Sequence, residues 1–227
     1  MTIWFVTGTD TGVGKTVATA ALVAVLRADG RSPYVVKPAQ TGVEPDEIGD
    51  LDDIRRLTGG VPGHEGARLR LPLAPDTAAR LEGVDLPALA AQHEALLDAA
   101  AHHDVLVEGA GGILVRVGAD WNLLDLAQSV AHRGIEVAFV VVARSGLGTL
   151  NHAALTVAAI QSRDLPVAGV LIGSWPDDPD LASEQNLLDL PTLTGVPVLG
   201  RIPEGAGRYD DQSFTAAAPT WLQLPAG

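Results

Sequence analysis

A chain of 227 residues, 47% of them hydrophobic, is long enough to bury one sizeable core and reads as a single domain over residues 1–227. It has no cysteine, which excludes disulfides, thiolate metal sites, iron–sulfur clusters and cysteine nucleophiles. With 28 acidic and 15 basic residues the formal net charge is -13, which repels polyanions, and no long charge-free apolar run offers a membrane span. The opening "MTIWFVTGTD" runs straight into a strand without the basic start and cleavage site of a signal peptide. The expectation is a cytoplasmic protein that binds neither nucleic acid nor membrane.

The expected elements alternate along the chain. "IWFVTG" is a short apolar run closed by Gly8, and a helix over 15–29 follows, stopped by Gly30. "PYVVKP" reads as the second strand. Within the acidic stretch after it, Asp50 or a neighbour starts a short helix ending at Gly59. Residues 60–86, with Pro62, Pro72 and Pro75, read mostly as loop, with a helix around 76–81. Leu89, His93, Leu96, Leu97 and Ala100 repeat at helical spacing, and "DVLVEGAGG" is a strand ending in an acid and a glycine-rich turn. A helix over 123–132, the buried strand "VAFVVVA", a helix over 151–163, the strand "VAGVLIG", a helix over 181–190 and the strand "VPVLGRIP" complete the series. The tail "AAAPTWLQLPAG" is broken by prolines and has no basic face to lie on a membrane.

Unbroken Val-rich runs between helices are typical of parallel strands covered on both faces. The fold expected is a doubly wound, mostly parallel α/β sheet with helices on both faces, of the P-loop NTPase type, with ligands at the C-terminal strand ends.

Chemistry concentrates at those strand ends. "GTDTGVGKT" at 8–16 ends as a phosphate-binding loop does, although Gly8 and Gly14 are separated by five residues and not the usual four. Thr11, Gly12, Val13, Gly14, Lys15, Thr16 and Val17 form the candidate nucleotide site. The glycines let backbone N–H groups turn toward phosphate, Lys15 reaches the β- and γ-phosphates, and the Thr16 hydroxyl holds Mg²⁺. The competing reading is a tight strand-to-helix turn with a lysine stretching to solvent. Glu108, at the end of a buried strand, stands where P-loop proteins place a metal-facing carboxylate.

Lys37 ends the second strand, pinned in extended conformation by Pro38, and shares a mouth with the loop if strands one and two flank one crevice. Of Asp46, Glu47, Asp50, Asp52 and Asp53, one carboxylate can complete the Mg²⁺ shell while the rest form a solvated face. Periodicity does not say which. The histidines lack metal-ligand spacing, with His102 and His103 expected on different faces of a helix, and all but His152 read as structural or surface residues. The dispersed tryptophans at 4, 121, 175 and 221 suggest packing and no stacking platform.

Taken in order, "GTDTGVGKT", "KPAQTG", "VEGAGG", "LGTLNHAALT" and "LIGSWP" resemble the dethiobiotin synthetase family over residues 1 to about 205, the five-residue loop spacing included. The resemblance implies an ATP-dependent cyclo-ligase that joins 7,8-diaminopelargonate and CO₂ (or bicarbonate) into dethiobiotin, using ATP or another NTP together with Mg²⁺. It implies Lys15 and Lys37 as charge-stabilising catalytic residues. The metal would be held by Thr16, Glu108 and, on the match to "GDLDDI", Asp50. Thr41 would bind the substrate's diamine end, an ordinary turn threonine being the competing reading, and Gly111 and Gly112 would let substrate lie against backbone.

The family also implies that Gly148, Thr149, Leu150 and Asn151, at a helix start in the partner subunit, bind the distant carboxylate, so that the active unit is a homodimer with a shared site. Many relatives carry an adenine-reading Asn where this chain has Gly173; Pro203, Glu204 and Gly205 remain to line the base pocket. Partition-type ATPase switches are the alternative. They carry a further lysine early in the loop, where this chain has Gly8, Thr9 and Asp10, and they use basic or amphipathic surfaces.

Overall fold

The computed structural model describes residues 2–225. Seven strands form one sheet in which every pairing between named strands is parallel. They are β1 (Thr2–Gly8), β2 (Pro33–Thr41), β3 (Gly63–Leu69), β4 (Asp104–Gly112), β5 (Glu136–Ala143), β6 (Val167–Trp175) and β7 (Val198–Pro203), in the order β3-β2-β4-β1-β5-β6-β7. The connecting helices are α1 (Lys15–Ala28), α2 (Asp50–Thr58), α3 (Pro75–Glu82), α4 (Leu89–Ala100), α5 (Leu123–Ala131), α6 (Thr149–Gln161), α7 (Leu181–Thr194) and α8 (Asp211–Ala217).

Period-2 alternation in the central strands feeds two cores. Ile3 and Phe5 face the side carrying α4, α5 and α6, where Phe5 stacks on its register partner Phe139 at 5.1 Å. Trp4 and Val6 face the side of α1 and α2. Both faces are covered, so β5 needs no polar positions, and its Val run follows. Helix α1, "KTVATAALVAVLRA", is buried on nearly every side, because α2, α8 and the turn at 218–220 close over its outer surface. No described helix is long and apolar enough to cross a membrane.

The structure departs from expectation at several points. Residues 63–69, read as loop, form the edge strand β3. A side chain on Gly63 or Gly66 would put a Cβ within 2.4 Å of Val35 O or 2.3 Å of Pro38 O, so these glycines permit close strand approach and do not mark a turn. Strands β1 and β2 are not neighbours, since β4 lies between them. Pairing of β2 with β4 ends at Val36 and Val107, and β2 continues through Pro38 to Thr41 against β3 alone. His102 and His103 occupy the turn after α4, where His103 meets Ser32 Oγ at 3.1 Å and packs on Tyr34, so neither sits on a helix face. Helix α7 carries Pro191 within it and runs on to Thr194. The tail packs in order through residue 225, its last two residues lying outside the described residues: α8 docks on α1 and α2, and Arg201 N donates to Trp221 O while Gln223 N donates to Leu199 O, covering the free edge of β7.

Candidate active site

The loop between β1 and α1 is shaped by glycine. Gly12 and Gly14 take φ values of 73° and 95°, in the left-handed region that side chains disfavour. A Cβ on Gly8 would stand 3.0 Å from Lys15 Nζ, so the first glycine clears the path of that side chain back across the loop, where it donates to Asp10 O at 3.0 Å. Burial lowers the pKa of Lys15, and the neighbouring charge of Lys37 lowers it further. The loop also presses on the end of β6: a Cβ on Gly173 would lie 2.0 Å from Val13 O, and one on Gly14 would lie 2.6 Å from Gly173 O. On its other side, Arg144 pairs with Asp10 at 2.6 Å.

Behind the loop, three elements bring charge together. Lys37 Nζ, on β2, donates to Glu108 Oε1 on β4 at 2.9 Å and to Gly109 O at 3.1 Å, and it pairs with Asp50 Oδ2 at the start of α2. The Thr16 hydroxyl lies 2.9 Å from Asp50 Oδ1 and 3.2 Å from Glu108 Oε1. Burial alone would lower the pKa of Lys37, but Glu108 and then Asp50 outweigh it and raise the value. Asp50 shows the reciprocal balance: burial raises its pKa, and Lys37 together with hydrogen bonds to Thr16 and Glu108 more than reverses that.

The site also uses residues that the motifs do not announce. Gly49, at the N-cap of α2, has no side chain to satisfy the first helical N–H, and Gln40 Oε1 accepts from Asp50 N at 2.8 Å in its place. Thr19, one turn beyond Thr16, donates to Glu108 Oε2 at 2.7 Å. Pro72, Leu73 and Ala74, from the segment after β3, form one wall of the cavity. The signal for Gln40 and Thr19 was proximity in sequence to Lys37 and Thr16, which carries no direction by itself.

The cavity over this cluster encloses about 700 Å³. Thr11, Gly12, Gly14, Lys15, Thr16, Val17, Lys37, Thr41, Asp50 and Gly111 all line it. Val13 is buried beneath the loop, Gly112 pairs with Gly8, and Glu108 lies wholly buried behind Lys37 and Thr16. The other members of the acidic run stay outside. Glu47 accepts from Glu44 N, Asp52 from Gly49 N, Asp53 pairs with Arg56, and Asp46 is exposed.

The remaining expected residues fall elsewhere. Gly148 to Asn151 open α6, with Gly148 at φ 89°, Thr149 Oγ1 donating to Arg144 O and Asn151 exposed; none of them lines the cavity of this chain. Pro203 borders a second cleft of about 340 Å³ with Trp175, Arg201 and Trp221, the Arg201 guanidinium standing 5.0 Å over the Trp175 ring. Two of the dispersed tryptophans therefore meet at one cleft. Glu204 N donates to Trp175 O at 2.8 Å, fixing the mouth of that cleft without lining it, and Gly205 turns the chain away at φ 79°.

A parallel sheet with a glycine loop, Lys and Thr between its first strand and helix, and a buried acid on the adjacent strand defines a P-loop nucleotide-binding α/β protein. The family model described as AAA domain matches residues 3–207. The chain is 52% identical over 224 residues to the ATP-dependent dethiobiotin synthetase BioD of Rhodococcus jostii (strain RHA1), covering 98% of this chain and 95% of that one. The namesake from Streptomyces avermitilis is 51% identical over 224 residues, with 98% and 92% covered. The chain belongs to the ATP-dependent dethiobiotin synthetase family, a family of ligases. Among solved structures, the MinC:MinD cell division protein complex of Aquifex aeolicus has a TM-score of 0.58 at 14% identity, covering 100% of this chain and 98% of that one. A ParA family ATPase from Chlorobium tepidum TLS gives 0.55 at 16%, covering 96% and 92%. These two share the fold alone, and the synthetase reading stands over the partition-type alternative.

Proposed function

We propose that the chain closes the ureido ring of dethiobiotin from 7,8-diaminopelargonate, CO₂ and a nucleoside triphosphate, and that the observation carrying this is the second buried lysine. A simple nucleotide switch needs Lys15 for the β- and γ-phosphates. Lys37, at the same cavity and with its ammonium held between Glu108 and Asp50, supplies a further positive charge that suits a reaction bringing one more anion to the γ-phosphate.

One substrate amine takes up CO₂ as a carbamate, whose oxygen attacks the γ-phosphorus and releases ADP. The second amine then attacks the carbonyl of the resulting carbamic-phosphoric anhydride, closing the five-membered ring as phosphate leaves. Neither step needs a protein nucleophile. The residues of the chain position and neutralise: N–H groups of Gly12 and Gly14 and the start of α1 cradle phosphate, Lys15 offsets its charge, Lys37 offers its ammonium to the carbamate, and Thr41 and Gly111 bound the diamine end.

The donor set suits Mg²⁺. The Thr16 hydroxyl lies within hydrogen-bond reach of the carboxylates of Asp50 and Glu108, all three are hard oxygen ligands, and the buried Glu108 needs a cation beside it. When bound, Mg²⁺ would neutralise charge on the β- and γ-phosphates. Asp50 and Thr16 face the cavity, with Glu108 directly behind them.

Gly148 to Asn151 lie outside their own cavity, and Leu147 and Leu155 beside them are 83% and 62% exposed, which supports a homodimer in which the start of α6 completes the partner's site. The cleft of Trp175, Arg201 and Pro203, adjoining the strand end against which the loop packs, is the base pocket in this reading. The deciding experiment is phosphate release from ATP with purified protein. The reading requires dethiobiotin and phosphate in equal amounts only when diaminopelargonate and bicarbonate are both present; release independent of the diamine overturns it.

A further inference from the structure

The two oxygens of Glu108 are held by different kinds of partner. Oε1 receives Lys37 Nζ and lies 3.2 Å from the Thr16 hydroxyl, and both of these residues line the cavity. Oε2 receives Thr19 Oγ1, from a fully buried residue that does not line it. Lys37 and Thr16 are the groups that phosphate, carbamate or metal would recruit. Thr19 alone of the three meets Glu108 from outside the cavity.

A threonine inside a helix ordinarily bonds the carbonyl four residues back. This protein shows that default: Thr58 bonds Ile54 O at 2.7 Å, Thr156 bonds His152 O at 2.8 Å, and Thr194 bonds Leu190 O at 2.6 Å. At Thr19 the order is reversed, with Lys15 O at 3.0 Å and Glu108 Oε2 nearer at 2.7 Å. A hydroxyl has one hydrogen to donate, and an ionised acceptor is favoured over a neutral carbonyl. The hydrogen therefore goes to the carboxylate.

We propose that Thr19 is a positioning residue for the metal-facing carboxylate: its hydroxyl fixes Glu108 Oε2 in the interior and so keeps Oε1 turned toward Thr16 and Lys37. This rests on the reading of Glu108 and Asp50 as the carboxylates that serve Mg²⁺. Without the hydroxyl the carboxylate can rotate about its last torsion, and metal affinity falls although every residue that meets metal or substrate is intact.

The test is Mn²⁺ binding to the protein–ADP complex, read from the free-Mn²⁺ EPR signal, for wild type, Thr19→Val, Thr19→Ala, Thr19→Ser and Glu108→Gln. Loss of an outer partner of a metal ligand typically weakens affinity about 10- to 100-fold, so Thr19→Val and Thr19→Ala are expected to lose about tenfold, and Thr19→Ser to stay within about twofold of wild type. ADP affinity in the absence of metal stays unchanged in the three Thr19 variants. Wild-type Mn²⁺ binding by Thr19→Val beside weakened binding by Glu108→Gln overturns the positioning role alone. Unweakened binding by both overturns the metal reading with it. Equal losses in Thr19→Ser and Thr19→Val trace the effect to packing and overturn the role of the hydroxyl. So does a result in which only the hydroxyl-bearing proteins fold, because the hydroxyl then serves the fold.

Discussion

Lys37 Nζ lies 2.9 Å from Glu108 Oε1, with both side chains closed off from solvent, at the point where β2 and β4 cease to pair. In the proposed reaction the ammonium has two duties, as counter-ion to Glu108 and Asp50 and as charge stabiliser. Lys37→Ala is expected to lower turnover at least 10²-fold. It is also expected to lower the melting temperature, because removing one member of a buried pair leaves an uncompensated charge at a cost of about 3–5 kcal/mol. Adding Mg²⁺ should restore more of the melting temperature in the variant than in wild type, the metal supplying the missing positive charge. Unchanged melting together with near-normal turnover would remove both duties.

Asp50 and Asp53 lie one helical turn apart on α2 and differ in everything that matters here. Asp50 touches Thr16 and Lys37 at the cavity; Asp53 pairs with Arg56 at an exposed surface. Asp50→Asn should raise the Mg²⁺ concentration needed for half-maximal turnover by about tenfold, since a neutral amide is a poor ligand for a hard cation. Asp53→Asn should change it little, and stability by under about 1 kcal/mol. An Mg²⁺ titration of the two variants decides, and an effect confined to Asp53 would move the metal site off the start of α2.

The Asp50–Lys37 pair sets a pH expectation. The pKa of Asp50 is held below its ordinary 3.8, so its contribution to stability is present above that value and is lost as pH falls through the folded-state pKa. The pKa of Lys37 is raised above 10.5, so its contribution is present below that value and is lost as pH rises through the folded-state pKa. The melting difference between wild type and Asp50→Asn should therefore stay flat from about pH 5 to about pH 9 and change only in stronger acid or stronger base. A difference that changes across neutral pH would show that the pair is not fully ionised there.

The placement of the motif residues was legible because it follows from local order. A strand, a glycine loop, Lys15 and Thr16 and then a helix can only present N–H groups, an ammonium and a hydroxyl at one place, and "VEGAGG" ends a buried strand beside them. What could not be read depends on partners distant in sequence. Thr19 acts through Glu108, 89 positions away, and on its own helix it resembles any other alanine-flanked threonine. Edge strand β3 is hidden by glycines whose purpose, closeness to the β2 backbone, exists only in the folded sheet. The closing tail is hidden because its proline-broken, alanine-rich sequence gains its structure by packing on α1 and along the edge of β7.

The shared-site proposal makes a mixing prediction. Lys37→Ala disables a site through the protomer that owns the cavity. A bulky change at the exposed Asn151 should disable it through the protomer that lends α6. Subunit exchange between the two inactive proteins should restore activity, because in a mixed dimer one of the two sites carries neither defect. Recovery approaching a quarter of wild type is expected from random pairing. None at all, with exchange verified, would mean that Asn151 serves its own protomer.

Gly173 sets the last prediction: the family resemblance puts this position at the base, and the structure gives it a packing role against the phosphate loop. Asn can read the N6 and N7 edge of adenine with both a donor and an acceptor, and a site lacking such groups discriminates less. Wild-type protein should therefore use ATP, CTP, GTP and UTP with specificity constants within about tenfold of one another, about 1.4 kcal/mol. Restoring Asn is not expected to restore selectivity. A Cβ at this position would fall 2.0 Å from Val13 O and 2.7 Å from Val142 Cγ1, so the phosphate loop would have to move off the end of β6. Gly173→Asn should weaken all four nucleotides alike, through the phosphates that they share, and the same four specificity constants test it. An ATP preference above about a hundredfold in wild type would place selectivity in backbone groups of β7 and its loop. The appearance of such a preference in Gly173→Asn, with ATP affinity kept, would show that the loop yields more easily than its contacts with β6 indicate.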